Sequence, residues 1–179
     1  MKHEPMPAHW RRTFLATAGV SVVAGLAAQW AWRRFHTPEL TPAAQSFWAR
    51  RFTALDGTEL DVAHWRGQPL LVNFWATWCP PCVKELPDIN QFYKDARSKG
   101  WQVLALAVDQ PEPVKTFLQK TPLDFPVALA GAEGLALARE LGNPAGGLPF
   151  SLAFDRQGEI HWRRLGVTHP EDLRELAKT

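Results

Sequence analysis

Cysteine is nearly absent from this sequence: Cys79 and Cys82 are the only two, three positions apart. A disulfide-stapled secreted scaffold needs several pairs joining distant segments, and this pair closes too short a loop to hold a fold together. A structural zinc site needs four ligands. No second C-x-x-C and no H-x3-H motif supplies them, and His64, His161 and His169 are scattered along the chain. Internal repeats at a solenoid period are missing, and the 15 prolines and nine tryptophans form no low-complexity tract. A basic stripe is missing as well. Residues 1–36 hold five of the 20 Lys and Arg and one of the 18 Asp and Glu, which leaves 15 basic against 17 acidic side chains for the rest. The pI of 8.7 therefore reports the N-terminal segment. The composition gives no footprint for nucleic-acid binding.

What is present begins with an uncharged stretch at residues 13–32, preceded by Arg11-Arg12-Thr13-Phe14-Leu15 and followed by Arg33-Arg34. As a helix it is about 30 Å long, enough to cross a hydrocarbon core. The arginine pair with Thr13-Phe14-Leu15 resembles a twin-arginine export signal. Three readings stand side by side: a retained anchor, a cleaved signal and a buried helix of the folded part. The anchor is favoured, because Gln29-Trp30-Ala31-Trp32 puts bulk where a small-x-small cleavage site belongs, and Trp30 and Trp32 suit an interfacial belt. Residues 1–36 are accordingly taken as a signal or anchor segment, 37–48 as a linker with Pro38 and Pro42, and 49–179 as one folded domain. Arginine pairs at both ends of the apolar stretch leave its orientation open.

Within the domain, residues 52–55 and 58–60 flank Asp56-Gly57, a pair that favours the turn joining twisted strands. Residues 70–75 are a nearly all-apolar run, as in a strand covered on both faces. Residues 81–98 show apolar positions Val83, Leu86, Ile89, Phe92 and Ala96 at helical spacing, with Pro87 expected to bend the helix. Strands are expected at 103–108, 127–129, 150–154 and 160–164, and helices at 113–119, 134–141 and 170–178. Strand–helix–strand followed by a hairpin and a helix gives an α/β domain with a mixed sheet and helices on both faces.

The two cysteines stand between a central strand and the start of a helix. Thiol–disulfide exchange needs a thiolate, an accessible sulfur and a second thiol to resolve the mixed disulfide. A helix N-terminus offers unpaired N–H groups and the positive end of the helix dipole, both of which favour the anion. Thiol pKa values in such motifs fall to about 3.5–7.5, from about 8.5 for a free cysteine. Cys79, at the helix mouth, is expected to attack and Cys82 to resolve. Pro80 and Pro81 remove two N–H groups from the sulfur's surroundings and stiffen the ring that a disulfide closes. A buried, inert cysteine pair is the plainer alternative.

Leu71-Val72-Asn73-Phe74-Trp75-Ala76-Thr77-Trp78-Cys79-Pro80-Pro81-Cys82 resembles the active-site strand and motif of the thioredoxin superfamily. The similarity is greatest to its membrane-anchored TlpA/ResA branch and runs from about Phe52 to the C-terminus. It includes Pro87, Val108-Asp109, Phe125-Pro126-Val127 and Gly147-Leu148-Pro149. The resemblance implies a thioredoxin-like fold with an N-terminal β-hairpin and a βα insertion, and a redox-active disulfide in place of any cofactor or metal. Pro149 matches the family's cis-proline, which lies beside the disulfide and leaves the adjoining backbone free to pair with substrate. Phe150 departs from the small hydroxyl residue usual after that proline, which puts the shape of the substrate groove in question. Asn73 stands where cytosolic thioredoxins carry a buried aspartate. Glu85 matches a glutamate used near the active site, although a carboxylate in the first turns of a helix is also explained by the dipole. Trp78 is either part of a docking surface or a packing residue.

The resemblance also implies an enzyme that reduces disulfides of exported proteins, in cytochrome c or copper-site maturation, and is re-reduced by a membrane thiol electron donor. It implies a periplasmic domain on a single-pass inner-membrane anchor, monomeric, with no nucleic-acid partner. An oxidant or isomerase of periplasmic disulfides, and a copper-binding module using the same two thiols, are the rival readings. A peroxidase would need a threonine and an arginine around a lone cysteine.

Overall fold

The computed structural model describes residues 39–178. The expected anchor at 1–36, with its apolar stretch at 13–32, lies outside them. In chain order the described elements are helix α1 (Pro42–Trp48), strands β1 (Arg51–Ala54), β2 (Glu59–Asp61) and β3 (Leu70–Trp75), helix α2 (Pro80–Ala96), strand β4 (Gln102–Ala107), helix α3 (Pro111–Lys120), strand β5 (Val127–Leu129), helix α4 (Gly134–Glu140), strands β6 (Phe150–Phe154) and β7 (Ile160–Leu165), and helix α5 (Pro170–Leu176). Single 3-10 turns occupy Val62–Trp65, Arg97–Lys99 and Gly131–Glu133. The seven strands form one mixed sheet in the order β2-β1-β5-β4-β3-β6-β7. β4 lies parallel to both β3 and β5, and the other pairings are antiparallel.

The all-apolar run at 70–75 is the central strand, and every residue of β3 is buried. Its side chains alternate between faces, as the pleat requires. Leu70, Val72 and Phe74 join a core with α1, α4 and β6, while Leu71 and Trp75 join a second core under α2, α3 and α5. The expected hairpin forms around Gly57 at φ +88, with Asp56 Oδ1 accepting from the N–H and hydroxyl of Thr58. Helix α2 continues past Pro87 and buries Leu86, Ile89, Phe92 and Ala96 against the second core.

The linker expected at 37–48 is not what residues 42–48 form. They make α1, capped by the Thr41 hydroxyl with Pro42 in its first turn. Ala44 and Phe47 are fully buried and Trp48 nearly so. Phe47 stacks on Phe154 with ring centroids 4.5 Å apart, and Trp48 Nε1 donates to the Gly158 carbonyl at 2.7 Å. Seven residues with prolines nearby give too short a pattern to read as a helix in isolation. Burial of two aromatic rings by the sheet is what fixes it.

Candidate active site

Residues 76–79 carry the chain from the C-terminal end of β3 to α2. The last peptide of β3 is tied to β4 by the Val108 N–H donating to the Trp75 carbonyl at 2.8 Å. Asp109 then holds the turn, its Oδ2 accepting from the N–H and the hydroxyl of Thr77 at 2.8 and 2.6 Å. Cys79 is the N-cap of α2, and Pro80 and Pro81 fill the first helical positions, where a missing N–H costs no helical hydrogen bond. Cys79 and Cys82 form a disulfide. Cys79 Sγ accepts from the Cys82 N–H at 3.3 Å. Cys79 is 5% exposed and Cys82 fully buried, so the outer sulfur is the one a partner meets first. Trp78, immediately before it, is 63% exposed, which suits a docking surface and not packing.

Pro149 reaches the same end of the sheet from the other side. Antiparallel pairing sets Phe150 opposite Phe74, so the residue before Phe150 lies level with Trp75 and the turn to Cys79. The Leu148–Pro149 bond is cis, and the Pro149 carbonyl accepts from the Gly166 N–H at 3.0 Å. The question that Phe150 raised about the groove resolves through the pleat. Phe150 is fully buried on the opposite sheet face, its ring 5.8 Å from that of Phe74, and does not line the groove. The neighbouring Ser151 points to the face of α2.

Behind the disulfide lies a buried polar cluster. Glu85, one turn after Cys82 on α2, is 1% exposed. Its Oε1 accepts from Asn73 Nδ2 at 2.7 Å and its Oε2 from the Thr168 N–H at 2.6 Å. Asn73 Nδ2 also donates to Ser151 Oγ at 3.0 Å, and Thr168 Oγ1 meets Ser151 Oγ at 2.9 Å. Burial, helped by the negative charge of Asp88, pushes the Glu85 carboxyl from 4.5 up to about 7, against the two hydrogen bonds that favour the anion. A carboxyl so placed exchanges its proton near neutral pH, which a helix carboxylate facing water does not. Asn73, unsuited to proton transfer itself, holds the group that is suited. Asp109 stood in the sequence only as part of the family resemblance, and Ser151 and Thr168 were not singled out at all. A serine and an asparagine inside two fully buried strands were the available signal, but the partners they meet are remote in the chain.

A disulfide at the mouth of a helix, a cis-proline strand beside it and a strand order of this kind define a thiol–disulfide oxidoreductase of thioredoxin-like fold. The Redoxin family model matches residues 37–179. The ResA thiol–disulfide oxidoreductase of a Bacillus cereus strain is 33% identical over 122 residues, 68% of each chain. Among solved structures, a thioredoxin-family thiol:disulfide interchange protein from Chlorobium tepidum TLS matches with TM-score 0.64 and 30% identity, over 72% of this chain and 90% of that one. The structure of MTB dsbF, 21% identical, shares the fold with TM-score 0.65 over 77% and 97% of the two chains. The chain belongs to the Redoxin family, as a ResA-like member of the thioredoxin superfamily. It is an enzyme of the protein-disulfide reductase class.

Proposed function

We propose that this enzyme reduces disulfides in exported proteins, such as those awaiting haem or copper, from a membrane tether formed by residues 1–36. The observation that carries the reading is Cys79 at the N-cap of α2 with the buried Glu85 one turn behind Cys82. In the dithiol form the Cys79 thiolate attacks a partner sulfur, forming a mixed disulfide and expelling the partner's other sulfur as thiolate, which takes up a proton. Cys82 then gives its proton to Glu85 and attacks Cys79 Sγ. The Cys79–Cys82 disulfide forms, the mixed disulfide breaks, and the partner leaves with both cysteines reduced. Two electrons pass to the partner, and a membrane thiol donor restores the dithiol by the reverse exchange. Trp78 and the cis-Pro149 loop receive the partner, while Pro80 and Pro81 limit how many donors stabilise the Cys79 anion.

Support for the tether comes from the uncharged stretch at 13–32 and from where the chain enters the domain. The N–H and hydroxyl of Thr41 bond the Glu159 carboxylate, in the turn beyond the end of β6 that pairs with Leu70. That end of the sheet is removed from Cys79 by the length of β3, about 20 Å for six residues. The export reading and the maturation substrates rest on the resemblance to the TlpA/ResA branch.

The test is the reduction potential of the Cys79–Cys82 couple in the full chain, read from the fluorescence of Trp75 and Trp78. A value at or below about −220 mV, on the scale where thioredoxin is near −270 and DsbA near −120, is expected for a reductase. A value near −120 mV overturns the direction and makes the chain an oxidant of its partners.

A further inference from the structure

The end of the sheet opposite the disulfide carries a cleft that thiol–disulfide exchange does not use. Pro69 just before β3, Trp101 just before β4 and Asp155 just after β6 mark that end. The cleft they help to line has a volume of about 590 Å3, within the range of small-molecule sites. Pro69 and Trp101 give it an apolar side, and the His161 ring stands beside Trp101 with centroids 6.4 Å apart. Three cations also line it, Lys99, Arg156 and Lys178, against one carboxylate, that of Asp155.

These charges are not arranged to cancel. Asp155 is taken up by its own turn, its Oδ1 accepting from the N–H groups of Gln157 and Glu159, both at 2.9 Å. Lys178 meets Glu175 at 2.6 Å, and Lys94 on α2 meets Asp124 at 3.0 Å. Among the described residues Lys99 and Arg156 have no carboxylate partner. Arg156 is nonetheless held in place. Its Nη2 donates to the Lys99 carbonyl at 3.0 Å, and the guanidinium lies over Gly100, where a Cβ would come within 3.2 Å of Nη2. Gly100 also has φ +93, so glycine is required there on both counts. One of the five guanidinium donors is used in this way, which leaves the others for an oxyanion. Partial burial pushes the His161 pKa down, against the pull of Asp155, so at neutral pH the ring is uncharged and has one N–H to donate.

We propose that this cleft binds a phosphate ester, with the oxyanion on Arg156 and Lys99 and the organic body against Trp101 and Pro69. Like charges gathered without a counter-charge repel, and an anion placed between them relieves the repulsion. Two cations and an imidazole N–H suit an anion with more than two oxygens, which favours phosphate over carboxylate. A bare phosphate fills only a small part of the volume, so the apolar side calls for an ester. The headgroup of an anionic phospholipid and a soluble phosphate ester both offer this chemistry. The cleft is separated from Cys79 by the length of β3, about 20 Å, so an occupant does not block disulfide exchange. The inference is independent of the direction of electron flow.

The test follows the His161 ring signals by NMR in the full chain, held in nanodiscs of phosphatidylcholine, whose ammonium offsets its phosphate. One arm adds phenyl phosphate, and the other replaces phosphatidylcholine stepwise by phosphatidylglycerol. A saturable shift of His161 is expected in at least one arm. A shift with phenyl phosphate alone assigns the site to a soluble ester, and a shift with phosphatidylglycerol alone assigns it to a lipid headgroup. In Arg156→Gln, and separately in Lys99→Gln, half-saturation is expected to need about tenfold more ligand, the scale of one charge-assisted hydrogen bond lost. Both variants should reduce insulin at the wild-type rate, which also shows that they fold. No shift in either arm, a shift that rises without saturating, or one that both variants keep at full affinity overturns the proposal.

Discussion

Glu85 is the residue at which sequence position and protein environment pull hardest against each other. A carboxyl in the second turn of a helix is ordinarily ionised at neutral pH, yet burial pushes this one up to about 7. The consequence for stability follows from which state holds the proton. Below pH 4.5 the folded and unfolded chains both hold it. Between 4.5 and about 7 the unfolded chain has released it and the folded chain has not, so stability falls as pH rises. The loss is complete above about 7 and amounts to about 3 kcal/mol. Denaturant unfolding at pH 5 and pH 8 is therefore expected to show the wild type losing more stability across that interval than Glu85→Gln; parallel losses would contradict the assignment. Asn73→Asp makes a second test. It would place another carboxyl at the 2.7 Å separation now bridged by Nδ2, and two carboxyls so close share a proton. Proton release from the pair moves upward, read as persistence of the protonated-carboxyl infrared band to higher pH than in the wild type.

At the scale of elements, legibility tracks how local the determining interactions are. Strands β3, β5 and β6 could be read from short apolar runs and α2 from its period, because the face each buries is written within the element itself. Helix α1 could not, since its Phe47 and Trp48 acquire meaning only against Phe154 and Gly158, over a hundred residues away. The same holds at the site. Cys79 and Cys82 announce themselves by spacing and by their place between strand and helix. Pro149 needed the family resemblance. Ser151 and Thr168 have no local signature at all, because what they do depends on Asn73 and Glu85 being folded onto them. Phe150 looked like an alteration of the groove until the pleat set it on the other face. Helix α1 also carries a prediction. Phe47→Ala removes a fully buried ring from the first core and should lower unfolding stability by about 3–5 kcal/mol. The reduction potential should not move, because Phe47 belongs to the core on the sheet face opposite α2. A shift in potential accompanying the loss of stability would mean that the two cores are coupled through β3.

For the molecule as a whole, charge, chain path and chemistry have to agree. The basic excess is confined to residues 1–36, and the domain that follows is slightly acidic. No helix among the described residues is long and apolar enough to cross a membrane, and the tether proposed above is formed by residues 1–36. The Thr41–Glu159 contact brings the chain into the domain at the sheet end away from the disulfide; under the proposal the domain lies on the outer side of the membrane. Spheroplasts of a bacterium producing the full chain, treated first with a reductant and then with a membrane-impermeant maleimide, test this directly. Cys79 is expected to be labelled without lysis, Cys82 much less, given that it is fully buried, and the labelled chain should remain with the membranes after carbonate extraction. Labelling that appears only after lysis would place the domain on the inner side and remove exported proteins as its partners. Labelled chain released by carbonate would keep the exported location and show that the first 38 residues act as a signal and not as an anchor.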